Sequence, residues 1–164
     1  MAVFENTPEE WQRLDWSILQ NGYTCLYSRK EFLLIDTMWF RKERYRVMEF
    51  DCSRWVEEQE MHNELKQKLR FGDNYAGTFS ALKESLKEIS ITGKGMVLVL
   101  HHFDTVEKET AQTLLDILAK ASQWRLLLGE RLLTLLQVDD PEVTYLPVGA
   151  RAVAWNPHEL LDIP

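Results

Sequence analysis

The chain has 164 residues, a net charge of −7 and a hydrophobic fraction of 45%, which suits one folded domain with a short extension. The acidic balance argues against direct nucleic-acid binding, which normally needs a basic face, and favours a basic partner. The longest apolar run, residues 96–100, is too short to cross a bilayer, and the acidic N-terminus does not resemble a signal peptide. We therefore expect a cytoplasmic protein that does not bind a membrane.

The first 44 residues are predicted to form an antiparallel β extension that packs on the core. A helix-start signal at residues 7–10 is followed by Asn21-Gly22, which separates two apolar segments, residues 16–19 and 23–27. An Asn-Gly pair between two such segments is a strong signal of a β-hairpin. Residues 32–40 are interpreted as a further strand.

Residues 45–164 are predicted to form an α/β domain with a short C-terminal strand and a tail. Alternation in residues 45–51 predicts a strand, and the continuous apolar run at 96–100 is typical of a strand buried on both faces of a parallel sheet. Residues 132–138 are interpreted as another buried strand, with a helix as the alternative. Residues 151–155 form the predicted short strand of the tail.

The predicted helices lie between these strands, at residues 55–69, 79–89 and 107–123. Their apolar residues recur at helical spacing. The resulting order of strands and helices favours a small parallel or mixed sheet with flanking helices and right-handed crossovers.

A polar, turn-prone loop leads directly into the helix at residues 79–89. Gly72 and Gly77 favour turns, and the loop offers Asp73, Asn74 and Tyr75. A loop joined to a rigid helix is well suited to present side chains to a partner. Because no spacing here matches a catalytic constellation, we interpret the segment as a recognition surface and expect no enzyme activity.

The chemistry-bearing residues outside this segment favour a metal site only weakly. Polar side chains follow the predicted strands, where open α/β sheets bind ligands: Asp51, Cys52, His101, His102, Asp104, Asp139 and Asp140. Metal-dependent phosphoester hydrolysis is therefore an alternative, although the spacing matches no defined motif. We expect no cofactor, and Cys25 and Cys52 are interpreted as reduced thiols, with a single disulfide left open.

The element order and the residues from Asn74 to Leu82 resemble the barstar family of intracellular ribonuclease inhibitors. The resemblance covers roughly residues 45–138. It implies that the loop and the following helix plug a ribonuclease active site, with Glu84 at the position of the carboxylate that occupies the phosphate pocket. A ribonuclease site must be cationic to stabilise phosphate charge, so an acidic protein is steered towards it.

The chain departs from the family at several of these positions. Asn74 stands in place of the first aromatic residue of the loop, Ser80 in place of an acidic residue, and Lys83 in place of an aromatic residue beside Glu84. Gln112 occupies a position that is acidic in the family. These departures predict that the chain does not bind barnase itself tightly.

The resemblance implies a bacterial immunity protein, monomeric when free, that forms a heterodimer with its nuclease. The predicted partner-binding residues are Asp73, Asn74, Tyr75, Ser80, Lys83, Glu84 and Gln112. Two alternatives stay open, a non-catalytic protein-interaction domain and, third, a metal-dependent phosphoesterase. Glu84 could also be an ordinary exposed helix residue that pairs with Lys87.

Overall fold

The computed structural model describes residues 4–149 and 151–161. Within them the strands are β1 (Thr24–Tyr27), β2 (Tyr45–Asp51), β3 (Gly95–His101) and β4 (Leu132–Gln137). The helices are α1 (Pro8–Trp11), α2 (Leu14–Gln20), α3 (Lys30–Lys42), α4 (Glu58–Leu69), α5 (Phe79–Glu88), α6 (Lys108–Leu127) and α7 (Pro157–Leu161). Short 3-10 turns follow β2 at Cys52–Arg54 and β3 at Phe103–Thr105.

The four strands form one parallel sheet in the order β1-β4-β3-β2. In its register, Val99 of β3 lies opposite Leu135 of β4, and Leu135 lies opposite Cys25 of β1. Strands β3 and β4 occupy the centre and are almost entirely buried, as expected for continuous apolar runs between two layers of helices. The predicted α/β architecture with flanking helices is confirmed.

Side chains of the central strands alternate between two hydrophobic cores. Leu98 and Leu100 pack in the core that includes buried residues of α4, α5 and α6. Val97 and Val99 pack on the opposite face of the sheet, in the core formed with α2 and α3. The sheet therefore separates α3 from α5, which lie on opposite sides of the protein.

Residues 4–44 do not form the antiparallel β extension that was predicted from the sequence. Residues 16–19 lie in α2, Asn21 caps the end of that helix, and Gly22 and Tyr23 adopt positive φ values of 114° and 73°. Asn-Gly favours left-handed conformations, and these end helices as readily as they build hairpin turns. The segment 32–40 is helical too, and β1 joins the sheet parallel to β4.

Other boundaries follow the sequence more closely. Residues 132–137 form a strand, which rules out the helical alternative there, and the helix predicted at 107–123 extends to Leu127. The strand predicted at residues 151–155 is reduced to two isolated bridges, Leu26 with Trp155 and Val148 with Arg151.

Both cysteines are buried free thiols, as the composition indicated. Cys25 packs in the core on the α3 side of the sheet, and Cys52 packs in the core on the α5 side. Because the sheet lies between them, the structure holds no disulfide that joins this pair. Burial raises the pKa of the Cys25 thiol to about 12, so the thiol stays protonated at neutral pH.

Candidate protein-binding site

The loop that precedes α5 is held against α4 by aromatic contacts. The rings of Phe71 and Tyr75 are 4.9 Å apart, and the Tyr75 hydroxyl lies 2.6 Å from Nδ1 of His62. His62 is only 1% exposed, and its ring also contacts Phe79 at 5.4 Å. These contacts tie the loop and the first residue of α5 to one buried side chain.

The direction of the hydrogen bonds around His62 follows from its second partner. Nε2 lies 3.3 Å from Oε1 of Glu58, and a carboxylate can only accept. The carboxylate acceptor therefore assigns a proton to Nε2, and Nδ1 is left to accept from the hydroxyl of Tyr75. Burial raises the pKa of Tyr75 to about 12, which keeps that hydroxyl protonated as a donor.

Both ends of α5 are fixed in place. At its start, the Thr78 hydroxyl accepts a hydrogen bond from the Ala81 amide at 3.1 Å. At its end, the buried Arg125 of α6 donates to the carbonyls of Leu86 and Ile89, each at 2.7 Å. With Leu82 fully buried in the core below, α5 is a rigid platform.

The outer surface of this platform carries most of the predicted partner-binding residues. Asp73, Asn74, Ser80, Lys83 and Glu84 are all exposed. We call this surface the loop–helix face: the exposed side chains of residues 72–78 and of α5. Its charges are mixed, because lysines alternate with the carboxylates along the helix.

Glu84 has the accessible carboxylate that the family resemblance requires at this position. Its side chain is 67% exposed, and Lys87 lies 3.4 Å away on the same helix. Exposed pairs of this kind are worth little, because water screens both charges. The contact with Lys87 is therefore a weak restraint, and the carboxylate can exchange it for a stronger cationic partner.

Two of the predicted contacts have internal roles in the structure. Tyr75 is half-buried, and its hydroxyl bonds to His62. Gln112 lies on α6, where its amide accepts from the Leu146 N–H and donates to the Leu146 carbonyl, both at 3.0 Å. The sequence placed Gln112 with the plug, but the structure uses its side chain to hold the segment after β4.

The polar residues after the strands do come together, as the parallel topology predicted, and they satisfy one another. His101 bonds to Glu49 at 3.0 Å, and His102 bonds to Asp139 at 2.8 Å, which lowers the pKa of the Asp139 carboxyl. The carboxylate of Asp104 accepts from the backbone of the segment after β4.

No group of three or more His, Cys, Asp or Glu side chains in residues 4–149 and 151–161 is arranged to hold a metal ion. The phosphoesterase alternative therefore has no metal site in this part of the chain. Within the same residues, no helix is long and apolar enough to cross a membrane.

Two residues that shape the loop–helix face escaped sequence reasoning. His62 sits beside Met61 in the buried stripe of α4, and that position was the available signal of a buried imidazole. Arg125 precedes a run of three leucines, and a single cation at an otherwise apolar helix end was a comparable signal. Neither position predicts which residue the side chain bonds to, because Tyr75 and Leu86 lie far from His62 and Arg125 in the sequence.

No curated protein matches the sequence. Among solved structures, one similar chain belongs to the structure described as "Structure of Drosophila ORC bound to AT-rich DNA and Cdc6", at 14% identity and a TM-score of 0.49. The match covers 90% of this chain and 55% of that chain, and a likeness this distant carries no functional argument.

The sequence of this chain matches one protein family over a long segment. The model described as "Barstar (barnase inhibitor)" matches residues 45–137, which is more than half of the chain. The matched segment runs from β2 to β4 and contains the whole loop–helix face on α5. A match of this extent shows that the chain belongs to the barstar family.

Proposed function

We propose that this protein binds a cognate ribonuclease and blocks its active site with the loop–helix face. The observation that carries the proposal is the exposed carboxylate of Glu84 on a helix that is anchored at both ends. The matching family is described as barnase inhibitors, and the described residues contain no group of three or more His, Cys, Asp or Glu side chains that could hold a metal ion. We place the activity in the cytoplasm of a bacterial cell, as protection against its own or a neighbour's nuclease.

The physical basis is charge mimicry of RNA. A ribonuclease site holds Arg and Lys side chains that stabilise phosphate charge, and a carboxylate inserted among them makes strong charge-assisted hydrogen bonds. The platform costs little entropy to order on binding, because Tyr75 and Arg125 already hold the loop and the helix. The overall charge of −7 also accelerates the encounter with a basic nuclease.

The other predicted residues take supporting roles in this proposal. Asp73 and Asn74 contact the rim of the target, and Ser80 offers a hydroxyl beside Glu84. Lys83 acts in specificity: it would repel a uniformly basic site and favour a target that carries an acidic group beside its catalytic cations.

Two of the predicted residues act less directly. Tyr75 is proposed to contribute by positioning the loop, because its hydroxyl already bonds to His62. Gln112 stays a predicted contact, and its amide would first have to leave the backbone of Leu146.

The test is inhibition of a purified ribonuclease that is encoded beside this chain, measured by cleavage of a fluorogenic oligoribonucleotide. Glu84→Gln keeps the shape and removes the charge, which leaves cations of the target unpaired. We expect a loss of about 3 kcal/mol, or roughly a hundredfold weaker inhibition.

Asp116→Asn is the matched control, because Asp116 is also a half-exposed carboxylate that pairs with a lysine of its own helix, Lys120 at 2.9 Å. It should leave inhibition unchanged. Equal inhibition by the wild type and by Glu84→Gln removes Glu84 from the plug. Tight binding to a protein without nuclease activity, and no inhibition of the ribonuclease, supports the interaction-domain alternative instead.

A further inference from the structure

Helix α3 carries an unusual stripe of exposed apolar side chains. Leu34, Ile35 and Met38 are 58%, 62% and 60% exposed, respectively. The buried face of the same helix is formed by other residues, among them Leu33 and Phe40. Helix α3 is therefore apolar on two sides, and only one of them is covered by the sheet.

The other large apolar side chains that are strongly exposed do not form such a stripe. Val56 and Leu146 lie singly in loops, and Leu127 and Leu128 end α6. Trp11 and Leu160 are single exposed residues of the short helices α1 and α7. Scattered exposed apolar residues are normal on soluble proteins, whereas three on one helix face suggest an interface. The α3 stripe is thus the strongest candidate for a second docking surface.

Charged residues at the two ends of the stripe make it self-complementary. Glu31 lies at its beginning and Lys42 at its end, and at helical spacing both share the face of Met38. Both are exposed, and neither has an ion-pair partner among the residues that the structure describes. By contrast, the neighbouring Arg41 pairs with Glu49 at 3.0 Å.

We propose that two copies of this protein pair through α3 in antiparallel orientation about a two-fold axis. An isologous interface needs one patch that complements itself. The midpoint between residues 31 and 42 and the midpoint between 34 and 38 differ by about 0.8 Å along the helix. One axis therefore places each Met38 against the partner's Leu34 and each Glu31 against the partner's Lys42.

This pairing is independent of the proposed inhibitor function and compatible with it. Helix α3 lies on the opposite face of the sheet from α5, so both copies keep their loop–helix faces free. The free protein is then a dimer that binds two nucleases, in place of the monomer expected from the sequence.

The first experiment measures the mass of the full-length protein by sedimentation equilibrium between about 1 μM and about 1 mM. We expect a concentration-dependent dimer in the wild type and a monomer in Met38→Asp. Leu127→Asp is the matched control, because it places the same charge at an exposed apolar position, 85% exposed, away from α3. It should dimerise like the wild type.

The second experiment reverses the charges of residues 31 and 42. It tests the pairing even if Met38→Asp fails to fold. Glu31→Lys and Lys42→Glu should each weaken the dimer roughly tenfold, because each change acts twice across the axis. The double variant should restore wild-type affinity. Lys94→Glu, a charge reversal in the exposed turn before β3, should have no effect.

A wild type that is monomeric at the highest concentration overturns the proposal. So does a dimer that persists in folded Met38→Asp, with its circular dichroism unchanged. A double charge variant that dimerises no better than the single variants also overturns it.

Discussion

At the scale of single residues, the loop–helix face depends on the buried imidazole of His62, whose two ring nitrogens both have hydrogen-bond partners. Tyr75, His62 and Glu58 form a chain of hydrogen bonds from the loop to the first turn of α4. A buried donor or acceptor that loses its partner costs more than the bond itself gained, so each member of the chain constrains the others. The conformation of the exposed loop therefore depends on the buried side chain of His62.

Tyr75→Phe tests this chain by removing one hydroxyl. We expect a loss of about 1 kcal/mol in the free energy of unfolding, because Nδ1 of His62 is left without a donor. Urea denaturation followed by fluorescence measures it. Tyr145→Phe is the control, since the Tyr145 hydroxyl has no hydrogen bond in the described part of the chain. Equal losses in the two variants would contradict the role given to His62.

Two aspartates should give stability opposite dependences on pH. Burial raises the pKa of Asp36 above its ordinary 3.8, although the hydrogen bond from Tyr27 opposes this shift. The stability that Asp36 contributes is therefore full below pH 3.8 and lost as pH rises through the folded-state pKa. The hydrogen bond from His102 lowers the pKa of Asp139, so its contribution is present above pH 3.8 and lost as pH falls.

We therefore expect Asp36→Asn to become less costly to the free energy of unfolding as pH rises from about 3 to about 7. Asp139→Asn should become more costly over the same interval. Denaturation curves of both variants and of the wild type, taken across this range, give the two differences. Slopes of the same sign would show that one of the two carboxyls is not in the environment described.

At the scale of elements, α5 is held by its neighbour α6 more than by its own sequence. Ten residues make a marginal helix in water, so the position of α5 depends on packing. The buried guanidinium of Arg125 satisfies the carbonyls at the end of α5, and it also pairs with Glu130 at 2.8 Å. The several N–H donors of a guanidinium can bind two carbonyls and a carboxylate at once, whereas the ammonium of a lysine cannot reach all three.

Arg125→Met should lower the free energy of unfolding by about 3 kcal/mol, because Glu130 and two carbonyls lose their partner. Hydrogen exchange at the Ile89 amide, which closes the last turn of α5, should become faster. Arg54→Met is the control: that side chain is 82% exposed and should change neither quantity. Unchanged exchange at Ile89 would show that α5 does not need the α6 contact.

At the scale of the whole molecule, the C-terminal segment covers one edge of the sheet, along β1. Leu26 of β1 donates to the Ala154 carbonyl at 2.9 Å and accepts from the Asn156 amide at 2.8 Å. The side chain of Glu159 then accepts from the amides of Ser28 and Arg29, at 2.9 and 2.8 Å. An exposed strand edge invites aggregation, and this segment covers it.

Glu159→Gln should cost about 2 kcal/mol of unfolding free energy, because a charged acceptor at the start of α3 becomes neutral. The amides of Leu26 and Asn156 should exchange faster as the segment loosens. Glu142→Gln, an exposed carboxylate after β4, provides the control for the loss of one charge. Unaltered exchange at Leu26 would mean that the edge is held without Glu159.

Whether residues 4–44 form a unit separate from the rest of the domain is also a question at this scale. The family model begins at residue 45, yet β1 lies beside β4 in the same sheet, and α3 packs on that sheet. We propose that residues 4–44 complete the domain instead of forming an independent unit. This arrangement also places α3, and its apolar stripe, on the face of the sheet away from α5.

The sequence by itself determined the elements from residue 45 to residue 137 and the exposed loop–helix. A continuous apolar run such as residues 96–100 is typical of a strand that is covered on both faces. Polar turn residues before an amphipathic helix are typical of an exposed loop. Local pattern and global fold agree in this part of the chain, so the pattern alone was sufficient.

Only the tertiary structure decided the N-terminal region and the internal contacts of the site. Asn21-Gly22 is compatible with both a hairpin and a helix end, and the apolar residues on two faces of α3 hide its helical period. Residues 24–27 pair with the free edge of β4 as a parallel strand, and this pairing requires a helix end at Asn21-Gly22 instead of a hairpin. The partners of His62, Arg125 and Gln112 were equally invisible, because each hydrogen bond joins residues that only the packing of separate elements brings together.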